Sequence, residues 1–506
     1  MSQLQQMFTW RVHGDGRTLA PGEVVRPDER LSWPRTVGLG AQHVIAMFGA
    51  TFVAPTLMGL NPNLAIMMSG VGTIIFLLVV GNRIPSYLGS SFAFIAAAGA
   101  IRADGGTSGQ VTGAFLVAGV LLAVLGVVVH RVGGGVVSRV LPPAVTGAVV
   151  VVIGLNLAGT AATFYWPSDQ WVALLTMVVV LVVSVAGRGF VSRVAILIGL
   201  VFGYVLSWVW DKVDLLTVTG ADGKVVEQAR VSFAGVKAAD WIGLPQSFTT
   251  GSGATVPGFV APEFTISFVL LVIPAVIALL AENAGHVKAV GEMTHTDLDP
   301  YLGRGYIGDG VATALASGVG GAPTTTYAEN IGVMAATRVY STAAYYVAAV
   351  VAILLGLVPK FGALVAAIPN GVLGGITVVL YGMIGLLGAK IWVENRVDFG
   401  NPINLVPLAA ALILGIGDAT LKITDDFSLT GIVLGTITAV GGYHLLRVLA
   451  PAPTREALAA HEHAGGAGIV TDSGADADPR AGRPTPDAGS GSGRRAPFGD
   501  HSPPRP

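Results

Sequence analysis

The sequence predicts an all-α polytopic membrane protein with fourteen spans in a 7+7 inverted repeat, and three observations carry that prediction. Only 12% of the 506 residues are charged while 52% are hydrophobic, against roughly a quarter charged in soluble domains. The apolar residues fall into nearly uncharged blocks of about 20, each able to cross the ~30 Å hydrocarbon core as a helix. Stretches of the first half return in the second.

Blocks bounded by charge, Pro and Gly place the spans near 36–58, 64–81, 86–101, 109–130, 141–161, 171–187 and 191–210, then 264–284, 306–318, 324–338, 342–358, 367–390, 402–417 and 429–449. Residues 1–35 are polar and lack the apolar core of a cleavable signal, so the first span is expected to serve as the insertion signal. Residues 451–506 are rich in Ala, Gly, Pro, Ser and Asp and are expected to be a disordered cytoplasmic tail. The 69 glycines are about twice the usual share; small residues let membrane helices approach closely. With no Cys there is no disulfide framework and no thiolate site, and a net charge of -1 argues against a nucleic-acid partner.

Lys and Arg test the count, because they gather in cytoplasmic loops. One set of loops and helix ends holds Arg83, Arg131, Arg139, Arg188, Arg193, Lys288, Arg304, Arg338, Lys390, Arg396 and Arg447; the opposite set holds only Arg102, Lys360 and Lys422. That asymmetry predicts an even number of spans, both termini in the cytoplasm and the long 211–263 loop outside. VAGVLLAVLG (117–126) resembles VAAVVAILLG (347–356), and PPAVTGAVVVV (142–152) resembles PNGVLGGITVV (369–379). Each repeat holds an odd number of spans, so the second is inverted, an arrangement typical of secondary transporters.

In such folds the substrate meets short or interrupted spans near mid-membrane. IPSYLGSSFAFIA (84–97) and GGAPTTTYAENIGVM (320–334) are rich in Ser, Thr, Gly and aromatics and make poor lipid-facing helices. Charged groups inside a membrane are costly, so carboxyls there are functional candidates. Glu282 closes the run ISFVLLVIPAVIALLA, with His286 one turn on; the bland alternative is that both mark the cytoplasmic end of span eight. Glu329 lies in the interrupted tenth span, where it reads equally as a helix N-cap. His43, alone on an apolar helix, reads first as an interhelical hydrogen-bond partner. Asp309 reads as intramembrane or at the mouth of span nine, and Asp425 with Asp426 as solvated surface. GRGYIG (303–308) matches a dinucleotide fingerprint formally but follows no strand. No zinc-protease motif or nucleophile elbow is present, so an enzyme is not expected.

These residues resemble the nucleobase-ascorbate transporter family, also called nucleobase:cation symporter 2. ENIGVMAATR (329–338) matches its signature [Q/E/P]-N-x-G-x-x-x-x-T-[R/K/G], Gln42-His43 matches the pair in the first span, and AENAGH (281–286) the acidic motif of the eighth. PDERL, MGLNPNL, PSYLGSS, DPYLGR and GDGVAT extend the likeness toward bacterial uracil permeases and the pyrimidine permeases of uracil-degradation (Rut) pathways. The resemblance implies short antiparallel strands in spans 3 and 10. It further implies a core domain of spans 1–4 and 8–11, a gate domain of spans 5–7 and 12–14, and a homodimer through the gate.

Carried over residue by residue, Glu282 and Glu329 would bind the base, with His286 nearby and the backbones at Phe92 and Ala328 completing the cradle. Tyr327 and Tyr381 match positions near the site or along a coupling route, to which His43 also belongs. Uracil has two ring N–H donors that flank a carbonyl acceptor, so carboxylates and backbone N–H groups complement it. Glu329, where xanthine and urate branches usually have Gln, favours a pyrimidine. Ala328, where many uracil permeases have Gly, leaves thymine and xanthine open. Because uracil is neutral, accumulation needs a cation; the expectation is proton symport by alternating access across a bacterial cytoplasmic membrane, with no cofactor beyond the coupling proton. The alternatives are an anion transporter of sulfate or bicarbonate type, for which two carboxyls are a poor site, a purine permease, or a channel.

Overall fold

Among the described residues, 8–20, 23–219, 225–249, 255–424 and 427–468, a computed structural model gives fourteen membrane segments in the predicted order. Spans 1 and 2 are Trp33–Leu57 and Pro62–Val79; span 3 is a strand, Leu88–Ser90 (β1), followed by a helix, Ile95–Ala103. Spans 4 to 7 are Ser108–Val132, Pro143–Ser168, Gln170–Ala186 and Ala195–Trp210. Spans 8 and 9 are Ile266–Thr294 and Leu302–Gly318; span 10 is again a strand, Thr324–Thr326 (β2), followed by a helix, Ala328–Thr337. Spans 11 to 14 are Thr342–Gly356, Asn370–Glu394, Pro402–Ile416 and Gly431–Leu449.

Seven of these are single helices long and apolar enough to cross a membrane, and an eighth is span 11 taken with the short helix Pro359–Ala366, bent 79° from it. The rest are shorter or, like span 9, more polar, and they depend on neighbours rather than on lipid. Span 8 extends ten residues beyond its expected end at 284, so Glu282 lies well inside the helix and does not mark its terminus.

The inverted repeat is visible element by element. In each half two helices precede a strand with a half-helix; the fourth span is followed by a short helix, Gly135–Val140 or Pro359–Ala366, and then three more helices come. Pro142 and Pro369 occupy the caps of spans 5 and 12 with φ of -62° and -64°, values that proline's ring sets. β1 and β2 pair antiparallel, Leu88 with Thr326, Gly89 with Thr325 and Ser90 with Thr324.

Two bundles result. Span 4 packs on span 9, and span 11 on spans 1 and 2; separately, span 5 packs on spans 12 and 13, and span 6 on spans 7 and 12. Glycines set the closest approaches. A Cβ on Gly119 would lie 2.7 Å from the Gly310 carbonyl oxygen, and one on Gly310 2.6 Å from that of Gly119. Gly147 and Gly388 face each other in the same way between spans 5 and 12. Flanking this contact, Val120, Val124 and Val127 of span 4 are exposed, as a lipid-facing surface requires.

Polar segments fasten the bundles. The N-terminal residues dock on the turn between spans 10 and 11: Val25 N–H donates to the Arg338 carbonyl, Tyr340 N–H to the Val25 carbonyl, and Trp10 Nε1 to Thr342 Oγ1 at 2.8 Å. Within 211–263, Arg230 bonds Asp169, the N-cap of span 6, at 2.6 Å and Asp211 at 3.3 Å, and Phe233 lies against Tyr204 of span 7. A few residues later, Val236 accepts from Lys360 Nζ, and the Asn61 amide donates to the Gln246 carbonyl, both on the first bundle.

The expected disorder from 451 onward does not begin there. Ala452–Gly468 is a helix, built from the helix formers of PTREALAAHEHA, and Asn401 Nδ2 donates to the Thr454 carbonyl. Residues to Leu458 form one compact unit; of the second, from Ala459, only the end of this helix is described. Asp425, Asp426 and the tail past 468 lie outside the described residues.

Candidate functional site

Equivalent hydroxyls in the two repeats hold the paired strands at mid-protein. In span 2, Thr73 Oγ1 accepts from Leu88 N–H at 2.9 Å; in span 9, Thr313 Oγ1 accepts from Thr324 N–H at 3.0 Å. Both strands are fully buried; Ser91 precedes the 3-10 turn Phe92–Phe94 that opens the half-helix of span 3 and Tyr327 precedes that of span 10, and neither gives a side-chain cap. Uncapped first-turn N–H groups therefore face the region where the two half-helices begin.

Two of the predicted carboxyls meet here. Glu329 is in the first turn of span 10, two residues past the cap position Tyr327 and not at it. Glu282, from span 8, is near enough to Glu329, Asp309 and Thr325 to feel them electrostatically. Glu282, Glu329, His286 and Phe92 are half-buried and Ala328 is exposed, although Asn283, Asn330 and both strands around them are buried. The two carboxyls are thus partly accessible among residues that are otherwise buried.

Behind them runs a hydrogen-bonded chain of which sequence reasoning had singled out only His286 and Asp309. His286 Nδ1 meets Thr326 Oγ1 at 2.7 Å, Thr326 Oγ1 donates to Asn283 Oδ1 at 2.8 Å, and Asn283 Nδ2 donates to Asp309 Oδ2 at 2.7 Å. Thr324 Oγ1 donates to the other Asp309 oxygen at 3.2 Å. Asp309 is wholly buried, which settles its place inside the protein and not at a mouth of span 9. Asn283 in an apolar run and three consecutive threonines were the available signals.

The remaining predicted residues have distinct places. His43 makes the interhelical contact expected of it: Asn330 Nδ2 lies 3.1 Å from both its Nδ1 and its carbonyl, and its ring packs on Tyr345. Tyr327 is buried, its hydroxyl donating to the Ser90 carbonyl at 2.8 Å, so its polar end is already engaged. Tyr381 is buried in span 12 beside Tyr165 of span 5, in the other bundle. GRGYIG lies inside the span 9 helix. Among the described residues no group of three His, Asp or Glu is placed to hold a metal ion.

Two buried polar atoms beside the strands have no partner, Ser91 Oγ and Asn330 Oδ1. Buried polar atoms are normally satisfied, and Ser91 and Asn330 bring unpaired ones to the starts of the two half-helices. The groove between spans 4 and 9, lined by Val120, Val124, Ile307 and Val311, is wholly apolar and offers none.

Known proteins match the chain over most of its length. A family model described as "Permease family" (Xan_ur_permease) covers residues 34–424. The chain is 44% identical to the "Putative pyrimidine permease RutG" of Escherichia coli (strain K12), over 82% of this chain and 90% of that one. It is 39% identical to the "Uracil permease" of Bacillus caldolyticus, over 82% and 92%. Among solved structures, murine Slc26a9, an anion transporter in the inward-facing state, aligns with a TM-score of 0.57 at 12% identity, covering 82% of this chain and 68% of that one. The transmembrane domain of the cyanobacterial bicarbonate transporter BicA aligns with a TM-score of 0.51 at 13% identity, covering 83% and 100%. At such identities the structures establish the fold, with its fourteen-span inverted repeat, while the family model and the sequence relatives establish the lineage. The protein is a multi-pass membrane permease and belongs to the nucleobase-ascorbate transporter, or nucleobase:cation symporter 2, family.

Proposed function

We propose that the protein imports uracil, with thymine and xanthine as lesser candidates, by proton symport through alternating access. The observation that carries this reading is the pair of accessible carboxyls, Glu282 and Glu329, set beside uncapped half-helix starts within an otherwise buried core. Carboxylates accept the ring N–H groups of a uracil, and free backbone N–H groups at Phe92 and Ala328 donate to its carbonyls. The names of the relatives, a pyrimidine permease and a uracil permease, support the same substrate class.

An anionic substrate would meet two carboxyls, so the likeness to anion transporters is one of fold. The coupling ion is a proton: a carboxyl moved out of water favours its neutral form, and alternate exposure lets it load on one side and discharge on the other. Glu282, Glu329 and His286 carry that exchange, with His43 and Tyr381 along the route. The orientation has both termini in the cytoplasm, and the assembly is a homodimer through the bundle of spans 5–7 and 12–14. The test is labelled uracil uptake into proteoliposomes with and without an inward proton gradient. A gradient-dependent uptake lost in Glu329→Gln is expected; uptake indifferent to an uncoupler, or unchanged in Glu329→Gln, rejects the reading.

A further inference from the structure

The chain from His286 to Asp309 has a direction. Asp309 accepts from Thr324 Oγ1 at one oxygen and from Asn283 Nδ2 at the other; in its ionised form it can only accept, which turns the amide nitrogen of Asn283 toward it. The Asn283 oxygen then faces Thr326, whose single hydroxyl proton is used in that bond. What remains at Thr326 Oγ1 is a lone pair, 2.7 Å from His286 Nδ1. The ring must donate to it.

We propose that Asn283 and Thr326, backed by Asp309, are positioning residues that hold neutral His286 with its proton on Nδ1 and offer Nε2 to the site as a hydrogen-bond acceptor. A neutral imidazole has one donor and one acceptor nitrogen, and whichever bond fixes the first fixes the second. His286 lies one helical turn from Glu282 and is half-buried, with Nδ1 engaged by Thr326. The side chains facing the ligand are therefore acceptors from spans 8 and 10 alike. This deepens the reading of the site as a nucleobase site: His286 selects a ring N–H, or a water that itself donates, and rejects a ring that presents a carbonyl at that place. Only this last step rests on the proposed substrate.

The test is nitrogen NMR of the full chain, substrate-free in nanodiscs and labelled with 15N-histidine, with the signal assigned by its loss in His286→Gln. Recorded about two units above the ordinary imidazole pKa of about 6.5, the unmodified chain should carry the proton on Nδ1. Thr326→Val, which keeps the shape and removes the hydroxyl, should shift the ring toward the Nε2-protonated form, and Thr326→Ser should restore the original state. In uptake, Thr326→Val should raise KM about tenfold, some 1.4 kcal/mol, with Thr326→Ser near the unmodified value. An Nε2-protonated ring in the unmodified chain, or a tautomer indifferent to Thr326→Val, overturns the proposal. If the tautomer behaves as described and uracil is not transported, the substrate reading fails and the positioning role stands.

Discussion

The hydroxyl of Tyr327 donates to the backbone carbonyl of Ser90 at 2.8 Å, tying the first residue before one half-helix to the strand that leads into the other. Thr51 of span 1 reaches the same hydroxyl at 3.3 Å, and the ring fills the space that a side chain at Gly89 would need. Tyr327→Phe keeps the ring and leaves the Ser90 carbonyl without this donor. A buried acceptor so orphaned costs about 1–3 kcal/mol. The expected result is a lower melting temperature in detergent together with weaker uracil uptake; a melting temperature equal to that of the unmodified chain would show that the bond is not structural.

The reciprocal glycines of spans 4 and 9 give a steric prediction. A methyl at Gly119 meets the backbone of Gly310 and Ala314, which cannot rotate aside as a side chain could. Gly119→Ala should destabilise by about 1–3 kcal/mol as the helices are forced apart. Gly99→Ala, where a methyl meets nothing within 4 Å, is the matched control and should be neutral or slightly stabilising. Thermal melting of the two variants side by side decides it.

How much of this was legible in the sequence depended on the scale of the signal. The fourteen segments were readable because apolar blocks of membrane length are long, and spans 3 and 10 stood out because PSYLGSS and PTTTYAEN are too polar for lipid. Glu282 and Glu329 were readable as carboxyls in costly places. The links through Asn283, Thr326 and Thr324 to Asp309 were not, because they join three spans and these three are ordinary polar residues until their partners are known. The helix past residue 451 was obscured by the composition of the longer tail, and the docked N-terminal segment by its polarity, although Trp10 is an unlikely residue to leave in water.

Arg230 gives a third prediction. Its side chain is 6% exposed and holds Asp169 and Asp211, themselves 10% and 8% exposed. Removing one partner of a buried ion pair typically costs 3–5 kcal/mol, because the remaining charges are uncompensated. Arg230→Ala should therefore lower the melting temperature far more than Arg11→Ala, whose pair with Asp28 is exposed. Equal effects of the two variants would place Arg230 among ordinary surface charges.

The N-terminal turn supplies a pH prediction. Asp15 accepts from the backbone of Thr18 and Arg17 and from the Thr18 hydroxyl, which together lower its pKa to about 2. A depressed carboxyl pKa stabilises the turn above the unfolded value of about 3.9. That contribution is lost as pH falls from there through about 2. Chemical shifts of Arg17 and Thr18 amides should hold steady from neutral pH to near 4 and change below it, and Asp15→Asn should abolish the transition.

The segment between spans 7 and 8 also acts as a leash. Phe233 rests on span 7 and Val236 is held by Lys360 beside span 11, so three residues connect an anchor on one bundle to an anchor on the other. Fully extended, three residues reach about 10 Å. On this face the two bundles are therefore held within about that reach of each other for as long as the Lys360 bond and the Phe233 contact both persist.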